Sequence, residues 1–258
     1  MKKWLIIATA LVVIGSIMFV IVMTINKWDF SKLSTVKYVT NTYEVTEEFN
    51  SIFIDTSTAD IYFVPSDEGS CKVVCHEDEK LKHSVTVIDG TLTIKETNTK
   101  KWYEYIGITM ESTKTTVYLP EGEYEKLVID TSTSDIEMSG DYYFDSIDIS
   151  VSTGSVDLTD VNCKTLATKG STGDICLKNV IADESITIKR NTGDVEFVKC
   201  DANEITVKVS TSDVKGSLLS DKVFSAKTST GKVKVPDSTS GGVCEITTST
   251  GDINIEIE

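Results

Sequence analysis

The hydrophobic pattern of the chain changes abruptly after the first 25 residues. Residues 4–25 carry no charged side chain, and Met1-Lys2-Lys3 precedes this run of 22 residues. A helix rises about 1.5 Å per residue, so the run can span a hydrocarbon core of about 30 Å, whereas the apolar part of a cleavable signal peptide has roughly 7 to 15 residues. The pattern predicts an uncleaved transmembrane anchor at residues 1–25.

Further along the chain, apolar and polar residues alternate with a period of two inside a repeat of 19 to 20 residues. Each copy has a short polar turn with threonine in second place, followed two residues later by aspartate or another polar residue and then by an apolar one. Short alternating segments bounded by Ser, Thr, Gly and Asp are typical of strand, turn, strand. The eight copies begin at Ser57, Ser132, Ser152, Ser171, Asn191, Ser210, Ser229 and Ser249.

The repeat predicts an all-β fold. The apolar residues do not recur at spacings of three and four, which excludes a helical repeat. A leucine ladder with a recurring asparagine is also absent, which argues against a leucine-rich repeat. We therefore predict a single-chain parallel β-helix, that is, a right-handed β-solenoid with 19–20 residues per coil, behind an N-terminal transmembrane α-helix. Inward-facing residues are expected at two positions on each side of every turn. A third inward-facing position is expected seven residues after the centre of the turn, at Val161, Val180, Cys200 and Leu219.

The same pattern divides the chain into four parts. Residues 1–25 are the anchor and residues 26–44 a polar tether. Residues 45–122 carry only the first copy of the motif and contain the Asp89-Gly90 turn, so they are predicted to form an irregular β cap with the first coils. Residues 123–258 hold the regular repeats.

Charge and composition narrow the classes of partner. The chain has 40 acidic and 25 basic residues and a net charge of -15, which argues against nucleic acid as a partner. With only two histidines there is little material for a histidine metal centre. The segment 225–232 lacks the first glycine and the Ser/Thr of a phosphate loop, so no nucleotide is expected, and no cofactor is predicted. Cys71 and Cys75 are too far apart on one predicted strand to form a bridge with each other, and the other four cysteines are expected to be mostly buried free thiols.

The flanks of the anchor predict the side of the membrane. A two-lysine head followed by a long acidic domain favours an N-terminus inside the cell. The protein is therefore expected to cross the cytoplasmic membrane once and to place its C-terminal domain outside.

Two groups of residues are candidates for ligand contact. The turn aspartates could form a calcium ladder, although capping of backbone amides is the simpler reading of the same residues. Trp102, Tyr103 and Tyr105 could stack on sugar rings, although packing of the cap also explains them. The candidate calcium ladder consists of Asp135, Asp174, Asp194, Asp213 and Asp252.

The remaining polar residues of note are given structural roles. His76 and His83 are expected to be solvated, and Arg190 to be a snorkelling or surface side chain.

The residues resemble a known family, the bacterial "putative adhesin" domains of unknown function, similar to LiaG-type membrane proteins. The resemblance rests on the segment Ile52 to Ile61, on Val117-Tyr118-Leu119-Pro120 before Leu127, and on the repeated Ser-Thr-Gly-Asp-Ile turns, over residues 45 to 258. It implies a β-helical surface domain with a role in adhesion or envelope-stress signalling. It carries over no catalytic residue.

Three functions follow as hypotheses. The first is a non-enzymatic surface protein, an adhesin or interaction scaffold that contacts an envelope or host surface protein or glycan. The second is an accessory regulator of an envelope-stress sensing system, in which the anchor finds a membrane partner. The third is a polysaccharide-active β-helix enzyme, for which no carboxylate pair stands out among the 40 acidic residues, so no catalytic residue is predicted.

Overall fold

The computed structural model describes residues 2–29, 36–102 and 111–258. The chain forms two compact units, one of residues 1–38 and 100–112 and the other of residues 39–99 and 113–258. The first unit contains a single described helix, α1 (Lys2–Ile25). The second unit holds almost all of the β structure.

Eighteen strands belong to one sheet. Part of the segment predicted to be a tether is a strand, because β1 begins at residue 38 and pairs with β4. In chain order the strands are β1 (Tyr38–Val45), β2 (Ser51–Thr56), β3 (Asp60–Pro65), β4 (Cys71–Asp78), β5 (Leu81–Ile88), β6 (Thr91–Asn98), β7 (Lys114–Leu119), β8 (Gly122–Thr133), β9 (Ile136–Thr153), β10 (Val156–Thr172), β11 (Ile175–Lys178), β12 (Ile181–Lys189), β13 (Val195–Lys208), β14 (Val214–Leu218), β15 (Lys222–Thr230), β16 (Val233–Lys234), β17 (Gly242–Thr250) and β18 (Ile253–Ile257).

In the middle of the chain, copies of the sequence motif lie on neighbouring parallel strands. Ile147 of β9 is in register with Leu166 of β10, and Leu166 is in register with Ile186 of β12. The turns follow the same alignment, since Thr172 and Thr192 form a parallel bridge. Equivalent apolar side chains therefore pack against one another, which is why the sequence repeats.

The prediction of a single-chain parallel β-helix is nevertheless wrong, first because the sheet is mixed. β4 runs antiparallel to β7, and β5 runs antiparallel to both β4 and β6. Asp89 and Gly90, with φ of 48° and 72°, form the two-residue loop between β5 and β6. Positive φ at both loop residues suits a tight hairpin, so the chain reverses here and does not continue a parallel winding.

The prediction is wrong for a second reason, which is the order of the strands in space. Ile205 of β13 pairs with Cys244 of β17, 39 positions later, and Phe224 of β15 pairs with Cys244 from the other side. β18 likewise lies between β14 and β16. Near the other end, Ile54 of β2 pairs with Ile129 of β8 across 75 positions. Strand order therefore differs from chain order, and a β-solenoid wound copy after copy does not describe this sheet.

Two features hold β17 between β13 and β15. A Cβ atom on Gly241 would lie 1.8 Å from the carbonyl oxygen of Asp221, and one on Gly242 would lie 2.3 Å from that of Asn203. The two glycines thus let the chain enter between two backbones. Lys222 of β15 extends its ammonium group to the carboxylate of Asp201 in β13, at 2.5 Å between Nζ and Oδ1. This ion pair joins the strands on both sides of β17.

The core lies along the inward face of the strands. Most of the residues predicted to face inward are buried, among them Ile149, Leu158 and Ile188. The exceptions belong mainly to the copy at residues 222–235, where Phe224 is only partly buried and Val233 is 44% exposed. β15 and β16 pair with β17 and β18 on one side, so this copy has less apolar surface to pack against.

All six cysteines are free thiols, and five of them are buried, in agreement with the sequence prediction. Burial in apolar surroundings disfavours the thiolate and raises the pKa of Cys163 and of Cys244 to about 12. Cys176 is only half-buried. The buried thiols therefore stay protonated at neutral pH and contribute to packing.

Helix α1 is long and apolar enough to cross a membrane. Its large apolar side chains are exposed from Trp4 to Ile25, with the exception of Met23, which is buried. The hydroxyl groups of Thr9, Ser16 and Thr24 each donate to the carbonyl oxygen four residues earlier, at 2.8–2.9 Å. A polar group in the hydrocarbon of a membrane needs a hydrogen-bond partner within the protein, and these three hydroxyl groups find theirs within α1.

Candidate functional site

The aspartates predicted as a calcium ladder are brought together by the turns. The Oδ1 atom of Asp174 accepts the backbone N–H of Asp194 at 2.8 Å, and Oδ1 of Asp194 accepts the N–H of Asp213 at 2.9 Å. Asp213 does the same for Asp252 at 2.7 Å, and Asp135 for Ser155 at 2.8 Å. All five carboxylates are exposed. Each one therefore caps a backbone amide of the neighbouring turn, which satisfies a donor that the corner leaves unpaired.

Substitution of Asp194 distinguishes a capping role of the turn aspartates from a calcium-binding role. We expect Asp194→Ala to lower the free energy of unfolding by about 1 kcal/mol, and Asp194→Asn to lower it less, because an amide oxygen still accepts the N–H of Asp213. The melting temperature of the wild type should not change with a chelator or with millimolar calcium. A melting temperature that calcium raises in the wild type but not in Asp194→Asn would show instead that the carboxylates hold the ion.

The aromatic candidates are only partly described. The Trp102 side chain is 78% exposed. Tyr103 and Tyr105 lie outside the described residues. The stacking of these three residues on a sugar stays a prediction.

The prediction that His83 is solvated is wrong. Its side chain on β5 is buried, and Nδ1 lies 2.7 Å from Oε2 of Glu77, which is also buried. Asn41 donates to the other carboxylate oxygen at 2.6 Å. Cys75 of β4 completes a buried group whose ligand atoms lie within 4.8 Å of one another.

The group of Cys75, Glu77 and His83 offers donor types that bind zinc, but its own hydrogen bonds already occupy it. Both carboxylate oxygens of Glu77 accept hydrogen bonds, and Oε2 also accepts the backbone N–H of His83 at 2.6 Å. Burial raises the pKa of Cys75 to about 12, although a hydrogen bond from Thr115 opposes the shift. Chemically the arrangement is a buried hydrogen-bond network that joins the β4–β5 hairpin to β1.

The prediction that Arg190 is a snorkelling or surface side chain is also wrong. Arg190 is 2% exposed, and its Nη1 donates to the carbonyl oxygen of Val151 at 3.1 Å. The guanidinium lies in the space left by the missing side chain of Gly170, where a Cβ atom would be 2.0 Å from Nη1. Nε and Nη2 have no hydrogen-bond partner within the described part of the chain. Burial lowers the pKa of Arg190, and Asp174 partly opposes this shift.

The chain thus combines an apolar helix that is long enough to cross a membrane with an all-β unit whose turns are capped by aspartates. Residues 49–258 match the family described as Toastrack DUF4097, and the chain belongs to that family. No curated protein matches the sequence. This match confirms the resemblance to a domain family of unknown function that the sequence predicts.

Three solved structures illustrate the likeness. A "putative adhesin" from Bacteroides fragilis NCTC 9343 is 20% identical, with 85% of this chain and 97% of that chain covered and a TM-score of 0.50. A "putative cell adhesion protein" from Clostridium sporogenes ATCC 15579 is 15% identical, with coverage of 86% and 100% and a TM-score of 0.37. A "putative lipid binding protein" from Parabacteroides distasonis ATCC 8503 is 15% identical, with coverage of 86% and 98% and a TM-score of 0.41. The first of these likenesses shows a shared fold and says nothing about a shared ligand.

Proposed function

We propose that this protein is a non-enzymatic surface protein that α1 holds in the cytoplasmic membrane and whose β unit acts outside it as an adhesin or interaction scaffold. The observation that carries the proposal is helix α1, which exposes apolar side chains along its whole length and hydrogen-bonds its own hydroxyl groups. Such a helix is stable in lipid and unstable in water. The name of the Bacteroides relative supports the role in adhesion.

The location can be tested with single cysteines in the full-length protein. Cys176 is changed to serine in all variants, because it is the half-buried thiol, whereas the other five native thiols are buried and should react slowly. Thr239→Cys then adds an exposed thiol to the β unit. A membrane-impermeant maleimide is expected to label this variant in intact cells.

Lys3→Cys in the same background is the matched control for the inner side. It should be labelled only after the cells are broken, since residue 3 is expected in the cytoplasm. Labelling of Lys3→Cys but not of Thr239→Cys in intact cells would reverse the orientation. Release of the β unit into the medium would show that α1 is cleaved as a signal peptide.

The role can be tested by crosslinking in cells, followed by mass spectrometry of the captured partners, with a second variant in which an unrelated transmembrane helix replaces residues 2–25. An adhesin or scaffold is expected to keep its partners after the exchange. A regulator that couples through the helix would lose its membrane partner, and this result would favour the accessory role in envelope-stress sensing. Hydrolysis of an envelope polysaccharide by the purified protein would contradict both.

A further inference from the structure

Three lysines lie side by side on neighbouring parallel strands. Lys169 of β10 is in register with Lys189 of β12, and Lys189 is in register with Lys208 of β13. All three side chains are exposed. Because paired strands lie about 4.8 Å apart, the three lysines form a row across the strands, next to the turn that follows Arg190. We call Lys169, Lys189, Lys208 and Arg190 the basic row.

The lysines of the basic row are not neutralised by the protein. Elsewhere, lysines form ion pairs with nearby acids, as in Lys164–Asp145 at 2.5 Å and Lys215–Glu196 at 3.4 Å. In the described chain no carboxylate lies within 4.0 Å of Lys169, Lys189 or Lys208. Like charges in directly opposed positions destabilise a sheet. The repulsion among these three lysines is therefore not compensated, although the chain has 40 acidic residues.

A cavity of about 290 Å³ adjoins the row. A water molecule takes about 30 Å³ in the liquid, so the cavity has room for a group well above that size. Uncharged hydrogen-bonding groups also face it, because exposed Asn191 and Ser210 contribute to its lining. Its lining consists of Lys169, Gly170, Lys189, Arg190, Asn191, Lys208, Val209 and Ser210.

The fourth cation of the row is buried without a carboxylate in hydrogen-bond contact. Arg190 donates to the carbonyl oxygen of Val151, and its Nε and Nη2 atoms have no acceptor among the described residues. A buried charge costs free energy unless an opposite charge or hydrogen bonds compensate it. An anion in the adjoining cavity would supply that compensation.

We propose that the basic row binds a ligand that carries several phosphate or sulfate groups. Guanidinium and ammonium groups together suit tetrahedral oxyanions, and three lysines on neighbouring strands about 4.8 Å apart match an extended ligand with repeated charges better than a single ion. The net charge of -15 repels such a ligand from the rest of the surface, so binding is confined to the row. This inference goes beyond the proposed function and does not depend on it, because it concerns the β unit whichever side of the membrane it occupies.

The test uses the full-length protein in a non-ionic detergent and tripolyphosphate as the probe. Calorimetric titration is expected to show saturable binding that weakens as salt is added. The variant Lys169→Gln/Lys189→Gln/Lys208→Gln should bind at least about tenfold more weakly, a loss of about 1.4 kcal/mol. The control Lys164→Gln/Lys199→Gln/Lys215→Gln removes the same charge from lysines that form ion pairs, and it should bind like the wild type.

A second arm distinguishes a soluble ligand from a lipid headgroup. The protein in zwitterionic nanodiscs is mixed with vesicles of phosphatidylcholine alone or of phosphatidylcholine with phosphatidylglycerol. Row-dependent sedimentation with the anionic vesicles would identify a headgroup as the source, and binding of tripolyphosphate alone would identify a soluble polyanion. The proposal is overturned if the wild type binds neither probe, or if the row variant binds as well as the control.

Discussion

Asp201→Ala is expected to lower the free energy of unfolding by about 3 kcal/mol. Lys222 is 1% exposed, its Nζ lies 2.5 Å from Oδ1 of Asp201, and it also contacts the hydroxyl of Ser220. Removing the carboxylate leaves a buried ammonium group with no opposite charge, which typically costs about 3 to 5 kcal/mol. The lower end applies because Asp201 is itself 25% exposed.

Thermal unfolding of the full-length protein in detergent, followed by circular dichroism, measures this effect. Lys222→Met should cost less, because Asp201 keeps the backbone N–H of Ala202 and the hydroxyl of Ser220 as donors. The double variant should be more stable than Asp201→Ala alone, since it contains no buried unpaired charge. The control is Asp145→Ala, which breaks an exposed ion pair with Lys164 and should change stability by less than about 1 kcal/mol. Equal stability of Asp201→Ala and the double variant would contradict the burial argument.

Gly193→Ala is expected to cost about 2 to 3 kcal/mol, which lowers the melting temperature of a unit of this size by about 4 to 12 °C. Gly193 has a φ of 122°, and a Cβ atom there would lie 2.2 Å from the carbonyl oxygen of Gly173 in the neighbouring turn. The substitution therefore strains the backbone and also forces two turns apart. Ser212 occupies the equivalent position without positive φ, so the turn has a second conformation that limits the cost.

Gly69→Ala is the matched control for this effect. Gly69 also has positive φ, 67°, but no atom lies within 4 Å of the position of its Cβ. It should cost about 1 kcal/mol, from backbone strain alone. If the two variants lose the same stability in thermal unfolding, the clash with the carbonyl oxygen of Gly173 does not add to the cost of Gly193→Ala.

The side chains that form the core could be read from the sequence with few errors. Ile149, Leu158 and Ile188 follow a period of two on either side of each polar turn, and all three are buried. The rule works because a strand presents alternate residues to opposite faces. It fails at Val233, where the pattern is present but the copy packs on one side only.

The order of the strands could not be read in the same way. β15 and β17 carry equivalent apolar patterns, so alternation alone cannot decide which of them pairs with β13. The local signal for the inserted strand is the Gly241-Gly242 pair, because only residues without a Cβ fit between the backbones of Asp221 and Asn203. The Asp89-Gly90 loop similarly marks the antiparallel hairpin that interrupts the parallel pairing.

The polarity of a residue does not by itself predict exposure, as the buried side chains of His83, Glu77 and Arg190 show. His83 shares its strand face with Val85 and Val87, and Glu77 shares its face with Val73 and Cys75. Alternation therefore placed both on the apolar face, where they pair with each other. No comparable signal marks Arg190, because its burial depends on the absence of a side chain at Gly170 on the neighbouring strand.

The position of β17 constrains the path by which the protein folds. Residues 222–234 are synthesised before residues 242–258, yet their native neighbours are β17 and β18. Until those later residues are available, the edge of β13 that pairs with β17 in the native sheet is open, and the equivalent apolar pattern of β15 suits a non-native pairing with it. The last stage of folding must therefore wait for β17 and β18, and premature pairing of β15 with β13 is the misfolding route that this strand order opens.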